Sequence, residues 1–180
     1  MNGSLKAGMP LREQTVAEEF GISRGPIRDA FLALTKEGLL HAKPNIGVKV
    51  AHEPSPFKRQ VIVTIRREIE SAALAEWFVH GKPAVLDELA GNLRRYEPLC
   101  RGGELGPVVE CDMAFHRLIV ESVDEGSLLN AWLPIIRQFY LRYSRHHSLT
   151  ESHAEHQSIL ALMRAGRCPE AVGALRSHIL

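Results

Sequence analysis

Asp112 and His116 stand four residues apart in a segment of helical periodicity, so both project from the same face. His156 lies in the fifth predicted helix that follows residue 57, and His178 in the sixth. Neighbouring antiparallel helices could bring all four groups to one point. Three imidazoles and a carboxylate suit a borderline divalent cation such as zinc, nickel or manganese, with water completing the shell and leaving open positions. The chain has nine histidines, and two alternatives stand beside this set. His153, one turn before His156, could take the ligand's place, or the four residues are unrelated groups on solvated helix faces. His80 and the pair His146-His147 fall at predicted helix ends, where imidazoles meet terminal carbonyls, and are given no ligand role. The sequence shows no HExxH, no nucleophile–base pair and no phosphate-cradling glycine loop.

The elements that must position these groups are helices. VIVTIRREIESAALAEWFVH predicts a helix of about five turns with Ile62, Ile65, Ile69, Ala72, Ala73 and Trp77 as its apolar stripe. Lys82-Pro83 opens a second helix running to about Leu99, and Arg101-Gly102-Gly103 leads to a third over Pro107 to Val123. A fourth spans Leu128 to His146 with a bend at Pro134, a fifth Thr150 to Ala165, and a sixth Pro169 to Leu180. No strand signal follows residue 50, so this part is a helical bundle of about six helices.

The first fifty residues follow a different pattern. TVAEEFGISRGPIRDAFLALTKEGLL, residues 15 to 40, has the pattern of a helix-turn-helix. Val16, Ala17 and Phe20 share a face, Gly21 ends the first helix, Ser23 can cap the second, and Pro26 is tolerated in its first turn. Ile27, Ala30, Phe31 and Leu34 then recur at helical spacing and are expected to pack on the first helix. Arg24, Arg28 and Asp29 remain near the exposed start of the second helix, where such motifs touch DNA. Two short apolar-alternating runs around Lys43-Pro44-Asn45-Ile46-Gly47 predict a β-hairpin wing. The stretch Ala51 to Phe57, with two prolines, is the expected linker. The division is thus 1–50 winged helix-turn-helix, 51–57 linker and 58–180 helical bundle. An ordinary helical hairpin with scattered arginines is the competing description.

Composition limits what such a chain can do. With 180 residues, 45% of them hydrophobic, it can build one large or two small cores. A net charge of +1 excludes a protein that coats nucleic acid by charge alone, but not one with a local basic surface. Residues 1 to 50 carry seven Lys and Arg against five Asp and Glu. Cys100, Cys111 and Cys168 are odd in number, far apart and in no CxxC pattern, as in a reducing cytoplasm. Neither a signal peptide nor a run of about eighteen apolar residues is present, so no membrane contact and a cytoplasmic location are expected.

PLREQTVAEEFGISRGPIRDAFLALTKEGLL and PNIGVKV, with IRREIESAALA, DMAFH, EHQSILALMRAG and the closing SH, resemble the GntR family of bacterial transcription regulators. The subgroup is the FadR-like one carrying the FCD ligand-binding domain, and the likeness covers nearly the whole chain. The resemblance implies a mainly α protein: a winged helix-turn-helix followed by an all-α bundle. The family's winged helix begins with a helix before the NGSLKAGMPL segment, and this sequence starts at that segment. The resemblance assigns metal ligation to Asp112, His116, His156 and His178, preferring His156 over His153 because the family's ligand directly precedes a QSIL-like segment. It implies DNA contacts by Arg24 and Arg28 and at the wing near Asn45 and Gly47; a basic residue frequent at the position of Gln14 is absent.

The expected function is that of a transcription regulator, a repressor, not an enzyme. It would act as a homodimer on a near-palindromic operator and be released by a small carboxylate bound beside the metal. Arg24 and Arg28 would face the major groove, while Lys43 and Lys49 on the wing would meet phosphates. Arg66 is a candidate second anchor for the carboxylate; its alternative is a surface ion pair with Glu70, one turn on. Two other functions compete: a metal-dependent hydrolase built on the bundle, and a sensor or fragment defective in DNA binding.

Overall fold

In the computed structural model, which describes residues 5–43, 47–123, 126–138 and 148–180, a two-residue strand β1 (Pro10–Leu11) precedes α1 (Glu13–Phe20) and α2 (Arg24–Lys36). The strands β2 (Leu40–Lys43) and β3 (Gly47–Val50) follow as the wing. Gly21 takes φ +65°, a left-handed conformation that glycine adopts without strain, and the next amide, of Ile22, returns to the Ala17 carbonyl. Gly38 repeats the device after α2, at φ +78°, with the Leu39 amide donating to the Leu34 carbonyl.

Ser23 sits at the N-cap of α2 as expected, yet its hydroxyl makes no capping hydrogen bond. A cap oxygen accepts from the second or third helical amide, and because Pro26, third in α2, has none, only the Gly25 amide is left to it. Ala17, Ile27, Phe31, Leu40 and Val50 form the small core, with Leu11, Val16, Leu34 and Val48 against it. Phe20, the last residue of α1, is instead exposed, and so is Ala30. The sheet order is β1-β3-β2, all antiparallel, with Leu40 opposite Val50 and Lys43 opposite Gly47. β1 has no sequence signal of its own because two residues are too short to show alternation.

Among the described residues six helices follow: α3 (Pro56–His80), α4 (Ala84–Gly102), α5 (Leu105–Glu121), α6 (Ser127–Arg137), α7 (Leu149–Arg164) and α8 (Cys168–His178). Among the described residues no strand follows residue 50. α3 begins inside the expected linker, because Ser55 accepts the Lys58 amide at 3.3 Å and Pro56 takes the first helical position, where no amide is needed. α7 starts with a reciprocal cap: Ser148 Oγ accepts the Glu151 amide and Glu151 Oε2 accepts the Ser148 amide. α6 contains Pro134 and ends at Arg137; the rest of the expected fourth helix, including His146-His147, lies outside the described residues.

α5 packs against α3, α4 and α6, while α7 packs against α4 and α8. Leu74, Leu89, Phe115, Ile119, Trp132, Ile159 and Leu175 fill the core between them. The buried face of α3 differs from the expected stripe. Ile65 and Ala72 are exposed, and Ile62, Arg66, Glu70, Ala73 and Trp77 line up inward at helical spacing. Two charged residues therefore occupy core positions. Where the winged domain meets the bundle, Arg137 at the end of α6 pairs with Glu37, the residue that caps α2. A methyl group placed on Gly38 would lie 3.9 Å from the Gln138 side-chain amide carbon, so the C-terminal ends of α2 and α6 lie side by side.

Candidate functional site

α5 presents Asp112 and His116 one turn apart, α7 contributes His156, and His178 is the last residue of α8. All four are buried, and one donor atom from each lies within 4.8 Å of the others. The rings crowd: His156 and His178 have centroids 4.1 Å apart, and His116 stacks on His178 at 5.2 Å. His153, the other candidate on α7, is outside the cluster and lines a groove between α4 and α7 with Arg94 and Arg164.

Each donor is held from behind by another group. His156 Nδ1 lies 2.7 Å from the Ser152 carbonyl oxygen, and His178 Nδ1 lies 2.7 Å from Glu155 Oε2. The Tyr96 hydroxyl donates to Asp112 Oδ1 at 3.2 Å and sits 2.9 Å from Ser152 Oγ. His116 Nδ1 is 2.6 Å from Glu70 Oε2, an ion-pair distance without the alignment of a full hydrogen bond. With Nδ1 of every ring engaged, Nε2 is the nitrogen on offer to a metal, which is how ligating histidines are usually oriented. His116 Nε2 is buried with no hydrogen-bond partner among the described residues. A buried polar nitrogen in that condition is costly, and a cation in the cluster would satisfy it. The donor set therefore fits a divalent ion of the zinc, nickel or manganese kind.

Glu70 ties this cluster to the rest of the bundle. Its Oε1 accepts hydrogen bonds from Arg66 Nε at 2.6 Å and from Trp132 Nε1 at 2.8 Å. Burial pushes the Glu70 carboxyl up, but the charges of Arg66 and His116 and their hydrogen bonds outweigh it and hold the group at about 2. Arg66 thus forms the Glu70 pair, but inside the core rather than on the surface. Sequence reasoning named Glu70 only as a surface partner of Arg66, and missed Tyr96, Ser152, Glu155 and Trp132. Only Glu70 had a usable signal: with Arg66 it places two charges on the face that also carries Ile62, Ala73 and Trp77.

In the winged domain, Arg24 and Arg28 lie on the first turns of α2 with side chains 59% and 61% exposed. Both are held by Glu13 of α1: Arg24 NH2 at 3.1 Å, and Arg28 through Nε and NH2 at 3.2 Å each. Hydrogen bonds from Arg28 and then Arg24 lower the Glu13 carboxyl's pKa. Glu13 was not foreseen, since eleven and fifteen residues of sequence separate it from its partners. Lys43 and Lys49 are exposed on β2 and β3, and Gly47 opens β3 at φ +95°. Asn45 falls in 44–46, outside the described residues. No helix among the described residues is long and apolar enough to cross a membrane.

Comparison with known proteins adds the family. Residues 1–50 match the model of bacterial regulatory proteins of the gntR family, and residues 61–180 match that of the FCD domain. The chain is 29% identical to a probable D-xylose utilization operon transcriptional repressor of Paenarthrobacter nicotinovorans, over 98% of this chain and 79% of that protein. It is also 29% identical to the transcriptional repressor RspR of Escherichia coli K12, over 65% of this chain and 51% of that protein. The fold matches E. coli McbR/YncC with a TM-score of 0.83 at 22% identity, covering 98% of this chain and 86% of that one. A GntR regulator from Rhodococcus sp. RHA1 matches at 0.82 and 19%, covering 99% and 86%. These relatives are transcription regulators, not enzymes, which sets aside a hydrolase built on the bundle. Winged helix-turn-helix, helical bundle and buried donor cluster come together because this chain belongs to the bacterial GntR family of transcription regulators, as a member carrying the FCD domain.

Proposed function

We propose that the chain represses transcription as a homodimer, with residues 1–50 reading operator DNA, 51–57 as the joint, and 58–180 sensing a small carboxylate at a metal centre. The observation that carries this reading is the four-donor cluster, buried and held from behind, with His116 Nε2 lacking a hydrogen-bond partner. Asp112, His116, His156 and His178 hold the cation. When bound, it would supply a site within the buried bundle that favours an anionic oxygen donor.

The chain's own groups do the rest. Glu70, Glu155 and the Ser152 carbonyl fix the imidazole orientations, and Tyr96 orients Asp112. Arg66 is a second anchor for the effector's carboxylate, and reaching it means sharing or breaking the Glu70 pair. In the winged domain, Arg24 and Arg28 read guanine edges, Lys43 and Lys49 meet phosphates, and the wing near Asn45 and Gly47 contacts the DNA. The effector acts by favouring a dimer geometry that no longer matches the half-site spacing.

The deciding experiment combines elemental analysis of protein purified without chelator with calorimetry against hydroxy acids, sugar acids and neutral sugars, D-xylose among them. About one divalent ion per chain and metal-dependent binding of acids only is the expected result. Metal-free protein, or binding of neutral compounds that survives stripping of the metal, sinks the reading.

A further inference from the structure

Glu70 uses both carboxylate oxygens, and the two lead in different directions. Oε2 faces His116 of the donor cluster, whereas Oε1 receives the Trp132 indole N–H from α6. Trp132 is almost wholly buried, so this bond fixes α6 against α3. Arg137 follows five residues later, about 7.5 Å along the helix and rotated onto another face. There it pairs with Glu37, which caps α2, while Gln138 lies beside Gly38. The route thus runs from the close His116–Glu70 contact through the Trp132 hydrogen bond and one short length of helix to the Arg137–Glu37 ion pair.

We propose that this route carries the state of the donor cluster to the recognition helix: Glu70 positions His116 and Trp132 together, and Arg137 grips Glu37 behind α2. The inference rests on the metal-centre reading given above and deepens it by naming how the site regulates DNA binding. A cation at the cluster fixes His116, and with it the Glu70 carboxylate. Trp132 and α6 then have one preferred setting, and the Arg137–Glu37 pair transmits that setting to the helix bearing Arg24 and Arg28. Contiguity by itself is not coupling, so the proposal stands on whether cutting single contacts uncouples the two ends. The coupling is reciprocal, since any free energy that links two sites acts both ways.

The test uses the full chain, zinc alone as the probe, and hydrogen exchange of the α2 amides as the readout. In the unmodified protein, zinc is expected to change exchange across α2 at least about threefold. Trp132→Phe removes the N–H but keeps the ring, and Arg137→Ala removes the grip on Glu37. Each should hold zinc affinity within about twofold while abolishing the α2 response. Glu70→Gln should weaken zinc about 10- to 100-fold and lose the response even at saturating zinc. Exchanging the charges, Glu37→Arg with Arg137→Glu, should restore the response that Arg137→Ala loses. An α2 response that persists in both Trp132→Phe and Arg137→Ala overturns the route. Zinc bound by the unmodified protein with α2 unchanged overturns the coupling and leaves the metal centre standing, whereas no zinc uptake overturns both.

Discussion

Glu13 and Glu70 each hold arginine side chains, one in the winged domain and one in the bundle. Glu13 clamps two exposed guanidiniums from a partly open position, and its contacts are screened by water and salt. Glu70 has no exposed surface and holds one buried guanidinium, an indole and an imidazole. The same carboxylate chemistry therefore does two jobs. At the surface it keeps cationic groups in place but exchangeable with other anions. In the core it fixes positions, because breaking it strands a charge away from water. The proposed DNA interface calls for the first behaviour, and the proposed sensing site for the second.

The largest expected effect tests the buried half of this contrast. Glu70→Ala leaves Arg66 without its buried counter-charge and should cost about 3–5 kcal/mol by chemical denaturation. A loss no greater than that of an ordinary surface substitution would remove the distinction between the two carboxylates. Next comes the metal. Asp112→Ala or His178→Ala should remove nearly all bound cation and lower the thermal midpoint together. Chelation of the unmodified protein should cost about 3 kcal/mol at a cation concentration one hundred times Kd. Elemental analysis and calorimetry on the same samples check both.

The winged domain supplies the smaller effects. Arg28→Ala should reduce the preference for operator over random DNA about tenfold or more. Lys43→Ala should instead weaken both DNAs about equally and flatten the salt dependence. Competition binding at several ionic strengths separates the two. Smallest is Glu13→Ala: its thermal midpoint should stay within about 1 °C, while DNA affinity rises about two- to fivefold as Arg24 and Arg28 lose their competitor. A fall in affinity would show that Glu13 aims the arginines rather than restraining them.

Much of this organisation could be read from the chain because it is local. Helical periodicity marks α1, α2 and the bundle helices, and the left-handed glycine at Gly21 is a one-residue signal. Asp112 and His116 share a helix, so their four-residue spacing already puts them on one face. What stayed hidden is either non-local or contrary to pattern. Tyr96 reaches Asp112 across sixteen residues and Trp132 reaches Glu70 across sixty-two, distances at which spacing carries no information. A hydrophobic pattern also sends Arg66 and Glu70 outward, and chose Ile65 and Ala72 as inward residues instead. The early start of α3 was missed because Ser55-Pro56 has the composition of a linker and the chemistry of a helix start.

The reciprocal cap at Ser148 and Glu151 has a consequence for how this chain can change. An α-helix turns about 100° per residue, so a slip of one residue in α7 would swing His156 away from Asp112. The cap sets the helix's phase within its own first turn, independently of how many residues come before it. Insertions or deletions upstream of Ser148 can therefore alter chain length without rotating His156. Length variation ahead of α7 and ligand geometry within it become separately evolvable traits.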